Sequence, residues 1–190
     1  MDRRRFADWS LKVGIGAAIA SAIPGVLTLR GKARSAATDA VAPGDRLVFA
    51  LGQNAGQPVT RGSFSQNEAV LAYPEGKSDN HENLVLVAKL DPAELGPPLV
   101  RVEGADGVVA YSAICTHLGC TVRFSEEPMD AAPFPHIHCP CHSALFDPRH
   151  GGLVLGGPAP RPLPQLPVRL NDKGEVVVTA GFTSTVGVKA

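Results

Sequence analysis

Two short stretches of the sequence place cysteine and histidine close together. In ICTHLGC, one residue separates Cys115 from His117, and in HCPCHSALFD two residues separate Cys139 from His142. Each stretch therefore offers one thiol and one imidazole. Together they make a ligand set that suits tetrahedral zinc or iron, because thiolate is a soft ligand and imidazole a borderline one.

The other two cysteines, Cys120 and Cys141, belong to the same two stretches. All four cysteines of the 190-residue chain fall between residues 115 and 141, so they indicate one local site and not a disulfide framework spread over a small scaffold. Zinc fingers usually pair two cysteines and two histidines at short spacings, which a mixed pair on each stretch matches poorly. A zinc-stabilised binding module remains the alternative at this point.

The composition excludes some classes of partner. Eighteen basic and 18 acidic residues give a formal charge of zero, and aromatic residues make up only 5% of the chain. A nucleic-acid-binding surface requires a basic stripe and stacking rings, so we expect no nucleic acid. A hydrophobic content of 44% with 20 Gly and 17 Pro is typical of a single loop-rich domain with a tail.

Short apolar runs after residue 44 predict the strands that carry the site. These runs are rich in Val and Leu, recur about every ten residues and are separated by turn residues, which is typical of strands. The predicted strands are RLVFAL, EAVLAY, NLVLVAKL, PLVRVE (98–103), GVVAYSAI, PVRL and EVVVTA. The predicted fold class is all-β, an antiparallel β sandwich or barrel. A loop-built subdomain at about 111–165 carries the cysteines and histidines.

The start of the chain predicts a membrane anchor. Basic residues precede a 17-residue apolar run, 13–29, which as a helix would be about 25 Å long and just able to span a bilayer. The sequence Arg3-Arg4-Arg5-Phe6 resembles a twin-arginine export signal. We therefore interpret 1–29 as a twin-arginine signal retained as one N-terminal membrane helix, with cleavage near 35–37 as the alternative.

The next segment predicts a tether between this anchor and the globular part. Residues 30–44, RGKARSAATDAVAPG, are small, polar and without periodicity, as in a flexible linker. The organisation predicted is thus an anchor at 1–29, a linker at 30–44 and a globular domain at 45–185.

The paired motifs CTHLGC and CPCH closely resemble the signature of the Rieske [2Fe-2S] family. The resemblance implies one [2Fe-2S] cluster, with Cys115 and Cys139 on the inner iron and His117 and His142 on the outer iron. It also implies a disulfide between the two remaining cysteines, Cys120 and Cys141. The stretch GGPAPRPLPQLPVRL is similar to the family's proline loop, which covers the cluster.

The resemblance further implies a function. AYSAICTHLGC, PRHGG and PAPRPLPQLPVR are most similar to the quinol-oxidising branch of Thermus- and Deinococcus-type bacteria. The chain is thereby expected to be the Rieske subunit of a quinol:cytochrome c reductase of the cytochrome bc type, which takes an electron from quinol and passes it to a c-type haem. His142 and His117 would be its catalytic residues, with His142 the contact for quinol.

The same resemblance implies partners and a location. Quinol, cytochrome b and a c-type cytochrome would be partners, and the N-terminal helix would hold the chain in the bacterial cytoplasmic membrane. The cluster domain would face the periplasmic side, and an export signal and a disulfide both agree with that compartment. The alternative is the small Rieske subunit of a molybdenum enzyme such as arsenite oxidase; a soluble oxygenase ferredoxin is a weaker match.

The second motif departs from the form C-P-C-H-G-S-x-Y-D of many respiratory Rieske proteins. Ser143 replaces the Gly, Ala144 the Ser and Phe146 the Tyr, so both hydroxyls that bond cluster or cysteine sulfur in the family are missing. Their loss predicts a lower reduction potential, which favours menaquinol as the quinol.

Two further expectations concern the flanks of the second motif. His136 and His138 share one face of any strand before Cys139, and we expect both to lie on the surface. Asp147 occupies the position of a family Asp that supports the loop, so its expected role is structural.

Overall fold

The computed structural model describes residues 40–188. The predicted anchor and most of the predicted linker lie outside these residues, and the domain bounds at 30–44, 45–185 and 111–165 stay predictions. Residues 40–188 include no helix that is both long and apolar enough to cross a membrane. This part of the chain has no α-helix, only short 3-10 turns and ten β-strands. The strands are β1 Leu47–Phe49, β2 Glu68–Pro74, β3 Val85–Lys89, β4 Val108–Ser112, β5 Arg123–Ser125, β6 His136–Cys139, β7 Ala144–Asp147, β8 Leu153–Gly156, β9 Val168–Leu170 and β10 Val176–Val178.

Six of the strands build a closed antiparallel barrel. Strands β1–β4 form one sheet in sequence order, and β9 pairs with β10. The backbone N–H of Leu166 donates to Ala110 O at 2.8 Å, which joins the chain before β9 to β4. On the other side, Val178 N–H donates to Asp45 O at 2.8 Å and joins β10 to the chain before β1. The predicted all-β antiparallel class is thereby confirmed.

Strand β3 separates two hydrophobic cores, which explains its unbroken apolar sequence. Val85 and Val87 face the core inside the barrel. Leu86 and Ala88, which point to the opposite side, pack into a second core that extends to Cys115 and the cysteine-bearing segment. A strand buried on both faces lacks the alternation of polar and apolar residues seen in half-exposed strands.

The segment between β4 and β9 contains more regular structure than the sequence indicated. It was expected to be built of loops, but β5–β8 form a four-stranded antiparallel sheet. These strands are only three or four residues long, which is too short for an alternation of polar and apolar residues to be recognised in the sequence. A hydrogen bond from the buried Tyr111 hydroxyl of β4 to Pro148 O, at 2.7 Å, attaches this sheet to the barrel.

The prediction of a strand at 98–103 is wrong, because this segment pairs with a side chain and not with a neighbouring strand. The amide of Gln165 accepts from Val100 N–H at 2.8 Å and donates to Val100 O at 2.7 Å. The edge of β4 that a strand here would need already binds the chain at 164–166.

Candidate metal centre

The first cysteine-bearing loop is a tight hairpin between β4 and β5. Ile114 pairs with Thr121, and Cys115 N–H donates to Cys120 O at 2.8 Å. The tip closes with a hydrogen bond of 3.0 Å from Gly119 N–H to Cys115 O, and Gly119 has a φ of 79° that favours glycine. We call residues 113–122 the first loop.

The second loop, residues 139–144, turns between β6 and β7. Cys139 pairs with Ala144 across the turn, and Ser143 adopts a φ of 56° in the left-handed region. A disulfide joins Cys120 of the first loop to Cys141 of the second, with Cα atoms 6.6 Å apart. The disulfide expected from the resemblance is therefore present.

The two free thiols meet beneath these loops. Cys115 is fully buried and Cys139 is 2% exposed. Burial raises the pKa of the Cys115 thiol, and the neighbouring Cys139 raises it further; backbone N–H groups of His117 and Leu118 lower it. A buried thiol such as that of Cys115 resists ionisation unless a cation offsets the charge of the thiolate. This pair of sulfur atoms is thus suited to a metal.

Cys139 also lies near the disulfide, with its sulfur within 4.8 Å of the sulfurs of Cys120 and Cys141. Sulfur atoms joined in a disulfide are not thiolates, and thiolate is the form that ligates metal. Of these three sulfur atoms, only that of Cys139 is therefore free to become a thiolate.

The two imidazoles meet nearer the surface. The rings of His117 and His142 have centroids 4.8 Å apart and are nearly perpendicular at 89°. His142 is exposed, His117 is half-buried, and Leu118 beside it is 59% exposed. The two thiols thus lie on the inner side of the site and the two imidazoles on the outer side.

The proline-rich segment 156–167 packs against both loops. The hydroxyl of Thr116 in the first loop donates to Arg161 O at 2.8 Å. Gly157 packs so closely on the second loop that a Cβ atom there would lie 2.6 Å from Ala144 Cα and from Ser143 O. This segment therefore braces the two loops.

His136 is not on the surface as expected, because it is fully buried in β6. Its Nδ1 lies 2.9 Å from Phe134 O, and among the described residues its Nε2 has no hydrogen-bond partner. His138 is partly buried. Strand β6 is covered on both faces, which the sequence did not reveal because histidine has no fixed preference for surface or interior.

Asp147 has the structural role expected of it. It accepts hydrogen bonds from the backbone and side chain of Arg149 and lies 2.9 Å from His150 Nδ1. Burial acts to raise the pKa of Asp147, but hydrogen bonds from Arg149 and His150 outweigh it and hold the pKa below its usual value. The Arg149 guanidinium in turn stacks over the Phe134 ring at 3.4 Å. Sequence patterns did not single out Arg149 or His150 as partners.

The donor set fits an iron–sulfur centre with mixed ligands. Two buried thiols and two outward imidazoles come from two loops, which a disulfide and a proline-rich segment hold together. Two thiolates on one metal and two imidazoles on the other match the ligands of a [2Fe-2S] cluster in which histidine replaces cysteine on one iron.

Comparison with known proteins gives consistent matches. The model of the Rieske [2Fe-2S] domain matches residues 80–167. A Streptomyces lividans protein named cytochrome bc1 complex Rieske iron-sulfur subunit is 30% identical over 145 residues, which cover 72% of this chain and 82% of that protein. The Streptomyces coelicolor protein of the same name is also 30% identical over 145 residues, but these cover only 40% of its length.

A third relative has a different name. A Haloferax mediterranei protein, provisionally named a respiratory nitrate reductase subunit Rieske, is 30% identical over 132 residues, covering 70% of this chain and 57% of that protein. The chain thus spans less than two thirds of two of these three relatives. Among solved structures, the soluble domain of Rieske protein II from Sulfolobus acidocaldarius aligns with a TM-score of 0.42 at 22% identity, over 56% of this chain and 65% of that one.

Proposed function

Because this chain belongs to the Rieske [2Fe-2S] family, we propose that it is the iron–sulfur subunit of a quinol-oxidising cytochrome bc complex. Its cofactor is one [2Fe-2S] cluster. The names of the two Streptomyces relatives support the choice of complex. The observation that carries the proposal is the pairing of two buried thiols with two imidazoles that lie toward the surface.

The burial of the two thiols and the outward position of the two imidazoles support the proposed ligands. Cys115 and Cys139 hold the inner iron, and His117 and His142 hold the outer iron. When bound, the cluster supplies a one-electron acceptor beside an ionisable imidazole. Backbone N–H groups of His117 and Leu118, directed at the sulfur of Cys115, stabilise negative charge there.

The proposed contact for quinol is His142, supported by the exposure of its ring. The ring nitrogen of His142 that does not bind iron accepts a hydrogen bond from the quinol hydroxyl and then receives the proton of that hydroxyl. His117, half-buried beneath Leu118, is the second catalytic position at the same edge. The disulfide and the proline-rich segment keep the two imidazole rings in place while quinol is oxidised.

The proposed setting is the bacterial cytoplasmic membrane. Cytochrome b and a c-type cytochrome are the proposed partners, and residues 1–29 are the proposed anchor. The linker at 30–44 would let the domain pass from the quinol to the haem of the c-type cytochrome. The disulfide is in keeping with the periplasmic face, since thiols in the cytosol are kept reduced.

A redox titration of the full purified chain, followed by low-temperature EPR from pH 5 to 10, tests this function. We expect two iron and two acid-labile sulfide per chain, a rhombic reduced signal and a potential that falls as the pH rises. His142→Asn should weaken the pH dependence or prevent cluster binding, whereas His81→Asn, which changes an exposed histidine elsewhere, should alter neither. Zinc in place of iron would exclude the proposal.

The second candidate is an electron-relay subunit of another respiratory oxidoreductase, such as arsenite oxidase. The name of the Haloferax mediterranei relative favours it. Purification of the native complex separates the two candidates: b-type and c-type haem with quinol oxidation would support the first, and a large molybdenum-containing subunit without b-type haem would support the second.

A further inference from the structure

Residues 183–188, which we call the strap, lie beyond the region that the family model matches. The strap begins at a two-way contact, in which Thr183 N–H donates to Gln165 O and the Thr183 hydroxyl accepts from Gln165 N–H, both at 2.9 Å. Farther along, Val186 packs against the core that contains Cys115. Gly187 is buried. The strap therefore lies on the domain and is not a free tail.

Arg161 fastens the strap. Its Nη2 donates to Gly187 O at 2.6 Å and its Nη1 to the Ser184 hydroxyl at 3.4 Å. Within residues 40–188 no carboxylate pairs with this guanidinium, and both of these hydrogen bonds go to the strap. Hydrogen bonds from a charged donor are about twice as strong as those between neutral groups.

Arg161 is also bound to the first loop. Its carbonyl accepts the hydrogen bond from Thr116, a side chain that is only 1% exposed and lies next to Cys115. One residue of the proline-rich segment thus holds the strap through its side chain and the first loop through its backbone.

The strap reaches the first loop directly as well. A Cβ atom at Gly187 would lie 3.4 Å from Ile114 Cγ2, so the strap backbone covers the residue before Cys115. Gly187 has a φ of 67°, which a side chain would strain. At the tip, Val188 Cγ2 lies 3.9 Å from the Cβ position of Gly119. The strap therefore follows the first loop from its base to its tip.

We propose that the strap, fastened by Arg161, holds the first loop in the conformation in which Cys115 and His117 bind iron, and helps to exclude water from the core around Cys115. Arg161 is thereby a positioning residue, since it acts on the ligands through Thr116 and the strap. The inference rests on the proposed cluster, but the hold on the loop does not require the cluster to be present.

The test compares the full chain with Arg161→Met, Arg161→Lys and a variant without residues 184–190. Arg169→Met is the matched control, because Arg169 is exposed on β9 and its one side-chain hydrogen bond within residues 40–188, at 3.5 Å, goes to the adjacent Leu170 carbonyl. The first measurement is the rate of cluster loss to an iron chelator, followed by visible absorbance. We expect Arg161→Met and the shortened variant to lose cluster about tenfold faster, Arg161→Lys to fall between, and Arg169→Met to match the parent.

The second measurement is amide hydrogen exchange in the cluster-free chains. We expect exchange at Cys115 and Gly119 to rise about tenfold in Arg161→Met while exchange in β3 stays unchanged. Unaltered exchange in the first loop would overturn the inference and leave the proposed function intact. A parent chain that binds no [2Fe-2S] cluster would overturn the function, and hydrogen exchange would still decide the role of the strap. Equal acceleration in β3 would show general destabilisation and also overturn the inference.

Discussion

Three residues in or directly after the second loop distinguish this site chemically from many respiratory members of the family. Ala144 and Phe146 are fully buried and carry no hydroxyl, so neither donates a hydrogen bond to sulfur. Ser143 occupies a left-handed backbone position with a φ of 56°, where the resemblance places glycine. The first two changes bear on the reduction potential, and the third bears on the stability of the loop.

Restoring the hydroxyls should raise the reduction potential. A hydroxyl that donates to sulfur favours the reduced centre, which has more negative charge, so Ala144→Ser with Phe146→Tyr should raise the potential by about 90 to 170 mV. Redox titration of the full chain measures the shift. Leu145→Met, at the buried position between them, is the control and should leave the potential unchanged. Equal potentials in all three chains would exclude hydroxyl loss as the tuning mechanism.

Replacing Ser143 by glycine should stabilise the second loop. A side chain at a φ of 56° carries a steric cost of about 1 to 2 kcal/mol, part of which is offset by the extra freedom of glycine in the unfolded chain. We expect Ser143→Gly to raise the free energy of unfolding by up to about 1 kcal/mol in denaturant titration. Ser125→Gly, in strand β5, should lower it. A lower stability for Ser143→Gly would mean that the serine side chain makes contacts that outweigh the strain.

At the scale of elements, the proline-rich segment and the β7–β8 turn hold the two loops on the barrel. Gly157 lets the segment approach the second loop closely, and Asp147 fixes the turn through Arg149 and His150. Burial also raises the pKa of the Tyr111 phenol, so its hydroxyl remains a donor to Pro148 O. The β7–β8 turn and the proline-rich segment therefore both support the two loops.

A methyl group on Gly157 should separate the proline-rich segment from the second loop. Its Cβ would lie 2.6 Å from backbone atoms of Ser143 and Ala144, so one of the two elements must move. We expect Gly157→Ala to lose cluster to a chelator at least tenfold faster than the parent. Gly56→Ala is a close control, since Gly56 has a φ of 80° against 82° at Gly157 but no neighbour within 4 Å of its Cβ position. Similar rates in both variants would assign the effect to backbone strain alone.

The hydrogen bonds of Asp147 should make stability depend on acid pH. Its pKa is lower in the folded chain than in the unfolded chain, where it is about 3.9. The stabilisation is therefore fully present above about pH 4 and is lost as the pH falls through the lower, folded value. Denaturant titrations between pH 6 and 2 should show a smaller acid loss for Asp147→Asn than for the parent. Asp130→Asn, at an exposed position, should retain the parent profile; an identical profile for Asp147→Asn would refute this account.

The elements also show which features a sequence pattern can predict. Strands β3 and β4 were predictable because short Val-rich apolar runs flanked by turn residues are typical of buried strands. The conformation of the segment 98–103 was not predictable, because its hydrogen-bond partner is the side chain of Gln165, which is 65 residues away from Val100. The Cys–His spacing indicated the site, whereas the burial of His136 and the role of Arg161 arise only from packing between distant segments.

At the scale of the whole molecule, the predicted export signal implies an order of folding, export and disulfide formation. Residues 3–6 predict export by the twin-arginine route, which carries proteins already folded around a cofactor. The free thiols of Cys115 and Cys139 lie beside the Cys120–Cys141 disulfide. Cluster insertion in the reducing cytoplasm, before the disulfide forms outside, would keep the four cysteines from pairing wrongly. The similarity to the Thermus and Deinococcus branch stays a prediction.

Changing the export signal should separate these steps. Arg3→Lys with Arg4→Lys should leave the chain in the cytoplasm with its iron bound and with Cys120 and Cys141 reduced. Cell fractionation, iron analysis and alkylation of free thiols measure the three properties. Arg30→Lys with Arg34→Lys, beyond the apolar run, is the control and should be exported normally. Normal export of the first variant would mean that another signal directs the chain.

The disulfide between the two loops has one more consequence, for proteolysis. The acidic stretch at 126–131 is exposed and lies between Cys120 and Cys141 along the chain. A protease that cuts there would leave two polypeptides, each with one of the proposed cysteine ligands and one of the proposed histidine ligands, and the disulfide would still link them covalently. Such a nicked molecule would migrate as one band without reductant and as two bands with it. A cut at 126–131 would therefore interrupt the backbone of the domain without releasing either half of its site.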